Sequence, residues 1–163
     1  MAKKIWVYIA PAVTPDGDEA TALLSDTLKE GLSTAVVGRI VGALPADKYS
    51  TDDRDKPAKI TDAYNALKIA AELIFKVTTQ GSKMTVDCTL KAVFEAIRAP
   101  QTTAGNLLVS GSKGAAAENR GAGEKGVLKI APDALDAFVA PLIKQMLDNP
   151  NYKSYGKKLG LPL

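Results

Sequence analysis

From Lys4 to Ile9 the chain alternates, with Ile5, Val7 and Ile9 on one side and Trp6 and Tyr8 on the other. A period of two in strand-favouring residue types predicts a first strand, which Pro11 and Pro15 are expected to stop. The period changes after Asp16-Gly17-Asp18-Glu19, where capping and first-turn acids precede Leu24, Leu28, Leu32, Ala35 and Val36 at helical spacing. That pattern predicts one long amphipathic helix running to about Gly38. Gly31 in its middle costs about 1 kcal/mol relative to alanine, so it reads as a point of close packing against a neighbour.

Ile40 to Leu44 is a short apolar run between Gly38 and Pro45, compatible with a brief second strand and not separable from a loop by pattern. Residues 46 to 57 are polar and interleave Asp47, Asp52, Asp53 and Asp55 with Lys48, Arg54 and Lys56, a surface loop. Helical spacing returns through Ile60, Ala63, Tyr64, Leu67, Ala70 and Ala71, which predicts a second helix over Lys59 to Ala71. Then comes the clearest strand signal: Leu73 to Thr79, a Gln80-Gly81-Ser82 turn, and Lys83 to Glu95. In the second arm Met84, Val86, Cys88, Leu90, Ala92 and Phe94 alternate with polar positions, giving one core face and one wet face.

Residues 99 to 106 turn the chain toward a further strand, Leu107 to Ser112, and the Gly- and Ala-rich stretch from Gly111 to Gly126 reads as a mobile low-complexity segment. Pro132 stands near the start of a last helix whose stripe is Leu135, Phe138, Val139, Leu142, Ile143, Met146 and Leu147, with a bend expected at Pro141. The expectation is an α+β fold: a mixed or antiparallel sheet of about four to five strands packed by three helices, in the order βα(β)αβββα. It places one domain over residues 1–148 and a flexible or docking tail over 149–163.

Composition narrows the chemistry. The chain of 163 residues has no histidine, the side chain most used for proton transfer near neutral pH and the commonest metal ligand. Its one cysteine, Cys88, excludes an internal disulfide and a Cys-rich zinc site. A net charge of +3 falls well short of the concentrated basic excess of a nucleic-acid binder, so no nucleic-acid partner is expected. No run approaches the ~20 apolar residues of a membrane-spanning helix, so this segment is not expected to insert directly. Met-Ala-Lys-Lys before Ile5 to Val13 is too short for a secretory signal and reads as strand.

Candidate sites are few. Cys88 lies on the apolar side of its strand with no histidine to activate it, which reads as a buried structural thiol. Gly121-Ala122-Gly123-Glu124-Lys125-Gly126 has its lysine before the last glycine and no following hydroxyl residue, so it fails as a phosphate loop. The aspartates at 47, 52, 53 and 55 lack the spacing of a calcium loop and have Lys48, Arg54 and Lys56 among them. No catalytic, metal or cofactor site is therefore expected. Trp6 and Tyr8 fit either an aromatic recognition patch or a sheet covered on both sides, the covered sheet being favoured. With Tyr152, Tyr155, Lys157 and Lys158 of the tail they are the candidate interaction residues.

Three segments resemble the TolB amino-terminal-like domains, a group that includes the curli-secretion channel protein, activators of penicillin-binding proteins and a flagellar assembly factor. Ala22 to Val36 looks like the group's first helix. Ala70 to Val77, the Gln80-Gly81-Ser82-Lys83 turn and Met84 to Leu90 resemble its passage of helix end, strand, turn and long strand. Leu108 to Gly114 resembles the following strand, and Ala131 to Leu147 the closing helix. Departures are the missing lipid-anchor cysteine, the charged stretch 46–57 and the residues between Ala96 and Gly105.

The resemblance implies a non-catalytic accessory or interaction domain of the bacterial cell envelope, binding a partner protein or its own copies. It implies a periplasmic or outer-membrane-associated setting with any export or anchoring segment absent from this sequence. A cytoplasmic location, as a structural subunit of a cytoplasmic or phage assembly, is one alternative, and a small-molecule-binding domain is another.

Overall fold

The computed structural model describes residues 5–51, 65–98 and 107–159. Five strands, β1 (Ile5–Asp16), β2 (Tyr49–Ser50), β3 (Asn65–Gln80), β4 (Lys83–Arg98) and β5 (Leu107–Arg120), form one sheet in the order β2-β1-β3-β4-β5. β1 runs parallel to β2 and β3, whereas β3–β4 and β4–β5 are antiparallel. Four helices accompany them among the described residues: α1 (Asp18–Leu23), α2 (Asp26–Ala43), α3 (Gly123–Leu147) and α4 (Pro150–Leu159). The α+β class and the mixed sheet are as expected, while several element boundaries and the number of helices differ.

The helix expected from Asp16 onward is two helices. Ser25 takes an extended conformation and its Oγ accepts a hydrogen bond from the Leu28 N–H at 3.1 Å, so the chain is recapped and a new helix begins. That helix does not stop at Gly38. Leu28, Leu32, Val36 and Ile40 repeat every fourth residue and are all buried, so the run read as a brief strand is the last turns of α2. The short strand falls later, at Tyr49–Ser50, inside the expected loop.

The second helix is corrected as well. Residues 65–71 belong to β3, where Leu67, Ile69 and Ala71 are buried and Lys68 and Ala70 are not, an alternation continuing through Leu73, Phe75 and Val77. Residues 59–64 of that expected helix lie outside the described residues, as do 52–57 and 99–106. The stretch read as mobile is strand up to Arg120 and helix from Gly123, which has a left-handed φ of 65°. α3 continues through Pro132 and Pro141, neither of which is buried. Within the tail, Pro150–Leu159 form α4, and residues 160–163 lie outside the described residues.

Two contacts hold the long helices side by side. A Cβ at Gly31 of α2 would come within 2.6 Å of Leu128 Cδ2 of α3, the close approach its position suggested. Nearby, Arg39 Nε donates to Asp136 Oδ1 at 2.8 Å between the same helices. The core is one cluster in which Ile5, Val7 and Ile9 of β1, Phe75 of β3, and Leu90 and Phe94 of β4 meet Leu32 and Ile40 of α2 and Leu135 and Val139 of α3. Gly81, with φ 62°, is the first of the two residues between paired Gln80 and Lys83, the place where a tight hairpin turn uses glycine.

Candidate interaction surface

Sheet alternation leaves a second face that no described helix covers. It carries Trp6 and Tyr8 of β1, Lys68, Glu72 and Ile74 of β3, and Thr89, Lys91 and Val93 of β4, and no described side chain on it is buried. Trp6 and Tyr8 are half-buried there, so the covered-sheet reading gives way to a partly open one. The register sets Lys68 opposite Glu95, Glu72 opposite Lys91 and Lys76 opposite Asp87. Opposite charges across the strands favour this register over a slipped one by a few tenths of a kcal/mol each. Thr14 Oγ1 donates to Glu72 Oε2 at 2.8 Å, extending the row onto β1.

The two edges of the sheet differ. The Ile5 N–H donates outward to the Lys48 carbonyl at 2.9 Å, so by strand alternation Val7, Ile9, Pro11, Val13 and Pro15 turn their backbone groups to the outer side of β1. Two of those five positions are prolines without an N–H, which is how an edge is kept from pairing. On the other edge, the Gly121 N–H donates inward to the Ser82 carbonyl, which fixes the phase of the β4–β5 ladder. Ser110, Ser112, Gly114, Ala116, Glu118 and Arg120 then turn their backbone groups away from β4. β5 contains no proline, and its only pairing among the described residues is with β4. Sequence reasoning missed this edge because glycine and alanine hide the alternation; the lack of proline from Leu107 to Arg120 was the available signal.

Of the tail residues, Tyr152 is not a surface residue. It is 2% exposed, its hydroxyl lies 3.0 Å from that of Tyr49, and its ring meets Phe94 edge-on at a centroid distance of 5.7 Å. Burial raises the pKa of both phenols, most strongly for Tyr152, while the shared hydrogen bond partly offsets the rise for Tyr49. Lys157 is exposed, and the side chains of Tyr155 and Lys158 lie outside the described set. Cys88 is buried, and burial first, with the Asp87 charge second, pushes its thiol up to about 12, which keeps it protonated and unreactive at neutral pH. Among the described residues no group of three or more Cys, Asp or Glu could hold a metal ion.

No protein-family model matches the chain, and no curated protein matches it significantly. Solved structures share its chain path in part. A protein described as a neuraminyllactose-binding hemagglutinin homolog from Helicobacter pylori is 13% identical, with a TM-score of 0.49 over 95% of this chain and 91% of that one. The PelC dodecamer from Paraburkholderia phytofirmans is 15% identical, with a TM-score of 0.38 over 86% and 89%. Lipoprotein GNA1162 from Neisseria meningitidis is 13% identical, with a TM-score of 0.41 over 89% and 99%. Among the described residues no helix is long and apolar enough to cross a membrane.

Proposed function

We propose that this chain is a non-catalytic accessory domain of the bacterial cell envelope that acts through protein contact, pairing the free edge of β5 with an extended strand, in the first instance that of a second copy. The observation carrying this reading is the contrast between the edges: prolines interrupt the outer side of β1, whereas β5 turns backbone donors and acceptors outward at every second residue from Ser110 to Glu118, the Arg120 N–H beyond them being taken by Asn119 Oδ1. The small side chains of Gly111, Gly114, Ala115, Ala116 and Ala117 leave that backbone accessible. The envelope setting rests on the resemblance to TolB amino-terminal-like domains, whose quoted segments fall on the end of α1 and the first part of α2, on the β3–β4 hairpin, where the quoted helix end is strand, and on β5 and α3.

Light scattering coupled to size exclusion tests the reading. Ala116 has its N–H on the free side, so Ala116→Pro removes a donor for strand addition without removing a ladder bond to β4. The wild-type chain is expected to associate as concentration rises and the variant to stay monomeric with an unchanged far-ultraviolet spectrum. A wild-type chain that remains monomeric throughout overturns the self-pairing, and turnover by the purified chain of any substrate in a hydrolase panel overturns the non-catalytic assignment.

A further inference from the structure

A cleft of about 460 Å³ opens where the ends of α2 and α3 meet β2 and α4, away from the β5 edge. That volume lies within the range of roughly 300–1,000 Å³ typical of small-ligand sites. Its apolar lining residues are Ala43, Pro45, Ala140, Leu147 and Tyr49, whose hydroxyl is engaged by Tyr152. Three lysines line it: Lys48 from the turn before β2, Lys144 from the last turn of α3 and Lys153 from α4.

The charge of the cleft decides what it takes. Asp148 lies 3.5 Å from Lys153, and both side chains are more than half exposed, so that pair is weakly bound. Among the described residues Lys48 and Lys144 have no carboxylate partner. The carboxyl ends of α2 and α3 contribute roughly −0.5 charge each and the amino end of α4 roughly +0.5. Three lysines against one aspartate outweigh that, and the cleft remains positive. A divalent cation is therefore disfavoured. An extended polyanion is disfavoured too, since the cations surround a bounded apolar floor instead of forming a stripe.

We infer that this cleft binds an amphiphilic anion, a carboxylate or phosphate monoester on an apolar body, with Lys48 and Lys144 holding the anionic head and the Tyr49–Leu147 floor taking the apolar part. Exposed Lys157 borders the adjoining groove that also contains Lys153, and extends the positive field at the mouth. This inference does not depend on the β5 edge.

The test is calorimetric titration of the full chain with decyl phosphate below its micelle concentration, with decyltrimethylammonium as the charge-reversed control. Decyl phosphate is expected to bind, the cationic amphiphile not to, and Lys48→Glu with Lys144→Glu together to weaken binding by roughly tenfold or more, from about 1 kcal/mol per close charge in water. Amide shifts at Ala140 and Leu147 locate the ligand by nuclear magnetic resonance. Sedimentation with phosphatidylglycerol vesicles separates the sources: capture lost in the same double variant assigns a lipid headgroup, and its absence alongside decyl phosphate binding assigns a free anion. No decyl phosphate binding, equal binding of the cationic amphiphile, or undiminished affinity in a double variant with a native circular-dichroism spectrum overturns the inference.

Discussion

The hydroxyls of Tyr49 and Tyr152 lie 3.0 Å apart although 103 positions separate them in the chain, and both rings are buried. The pair ties the two-residue strand β2 to the helix α4, elements too short to be stable on their own. Replacing one partner leaves a buried hydroxyl unsatisfied at a cost of about 1–3 kcal/mol, whereas replacing both removes the need for the bond. Tyr49→Phe and Tyr152→Phe are each expected to lower unfolding free energy in urea by that amount. The double variant is expected to be less destabilised than the sum, and strict additivity would show that the hydroxyls do not interact.

Cys88 gives the chain a pH signature. Its thiol is held at about 12 in the fold, above the roughly 8.5 of an unfolded cysteine. A raised pKa contributes stability in full below the unfolded value and loses it as pH climbs toward the folded one, because only the unfolded chain releases the proton. Stability is expected to fall by about 1–2 kcal/mol between about pH 8.5 and pH 10, the slope rising toward ~1.4 kcal/mol per unit above the unfolded pKa. In Cys88→Ala this part of the fall should vanish. Denaturant titrations at several pH values check it, and equal alkaline slopes in the two proteins would remove the assignment. The buried tyrosines add a further loss above about pH 10, since their pKa values are also raised.

Gly31 sets the spacing between α2 and α3. Alanine there should gain about 1 kcal/mol in helix propensity, but its Cβ would meet Leu128 Cδ2 at 2.6 Å. Leu128 is half-buried and its methyl can rotate aside, so the two effects are expected to cancel closely in Gly31→Ala. In a Leu128→Ala background the propensity gain should emerge unopposed. Gly31→Leu overfills the contact and is expected to cost about 1–3 kcal/mol. Thermal unfolding of the wild type and the four variants measures this, and equal effects of Gly31→Ala in both backgrounds would show that the contact is slack.

The elements legible in the sequence are those with a single dominant period. β1 begins where alternation put it, but it runs on through Pro11 and Pro15 to Asp16, because its ladder to β3 lies on the side away from the missing proline N–H groups; the hairpin turn, its second arm and the apolar stripe from Leu135 to Leu147 fall where the spacing put them. The errors arise where two periods coexist. Leu67, Ala70 and Ala71 satisfy a helical spacing, while Leu67, Ile69 and Ala71 satisfy an alternating one, and pairing with β1 and β4 decides for strand. In β5 the small residues carry almost no periodic signal, so the strand is specified by the ladder to β4. The candidate interaction residues divide in the same way. Tyr152 was visible as a large amphipathic side chain, but its partner Tyr49 comes from a segment 103 residues earlier. The lysines of the cleft are brought together by three helix and strand ends that local pattern does not relate.

The unequal edges also predict the size of the assembly. β5 points the same way as β1, because β3 is parallel to β1 and two antiparallel steps separate β3 from β5. Two copies joined β5 to β5 about a two-fold axis pair antiparallel and close, leaving outward the β1 edges that Pro11 and Pro15 interrupt. Association should therefore stop at a dimer, twice the 17.1 kDa of the chain. Joining β5 to β1 of the next copy would instead be parallel and head-to-tail, and nothing in that contact limits its growth. Pro11→Ser with Pro15→Ser restores two donors on the outer side of β1, so this variant is expected to pass beyond the dimer into larger species. Adding Ala116→Pro should return it to monomers, since both modes need β5. Light scattering across a concentration series reads all three proteins, and growth by the wild-type chain past the dimer would show that prolines do not guard the β1 edge.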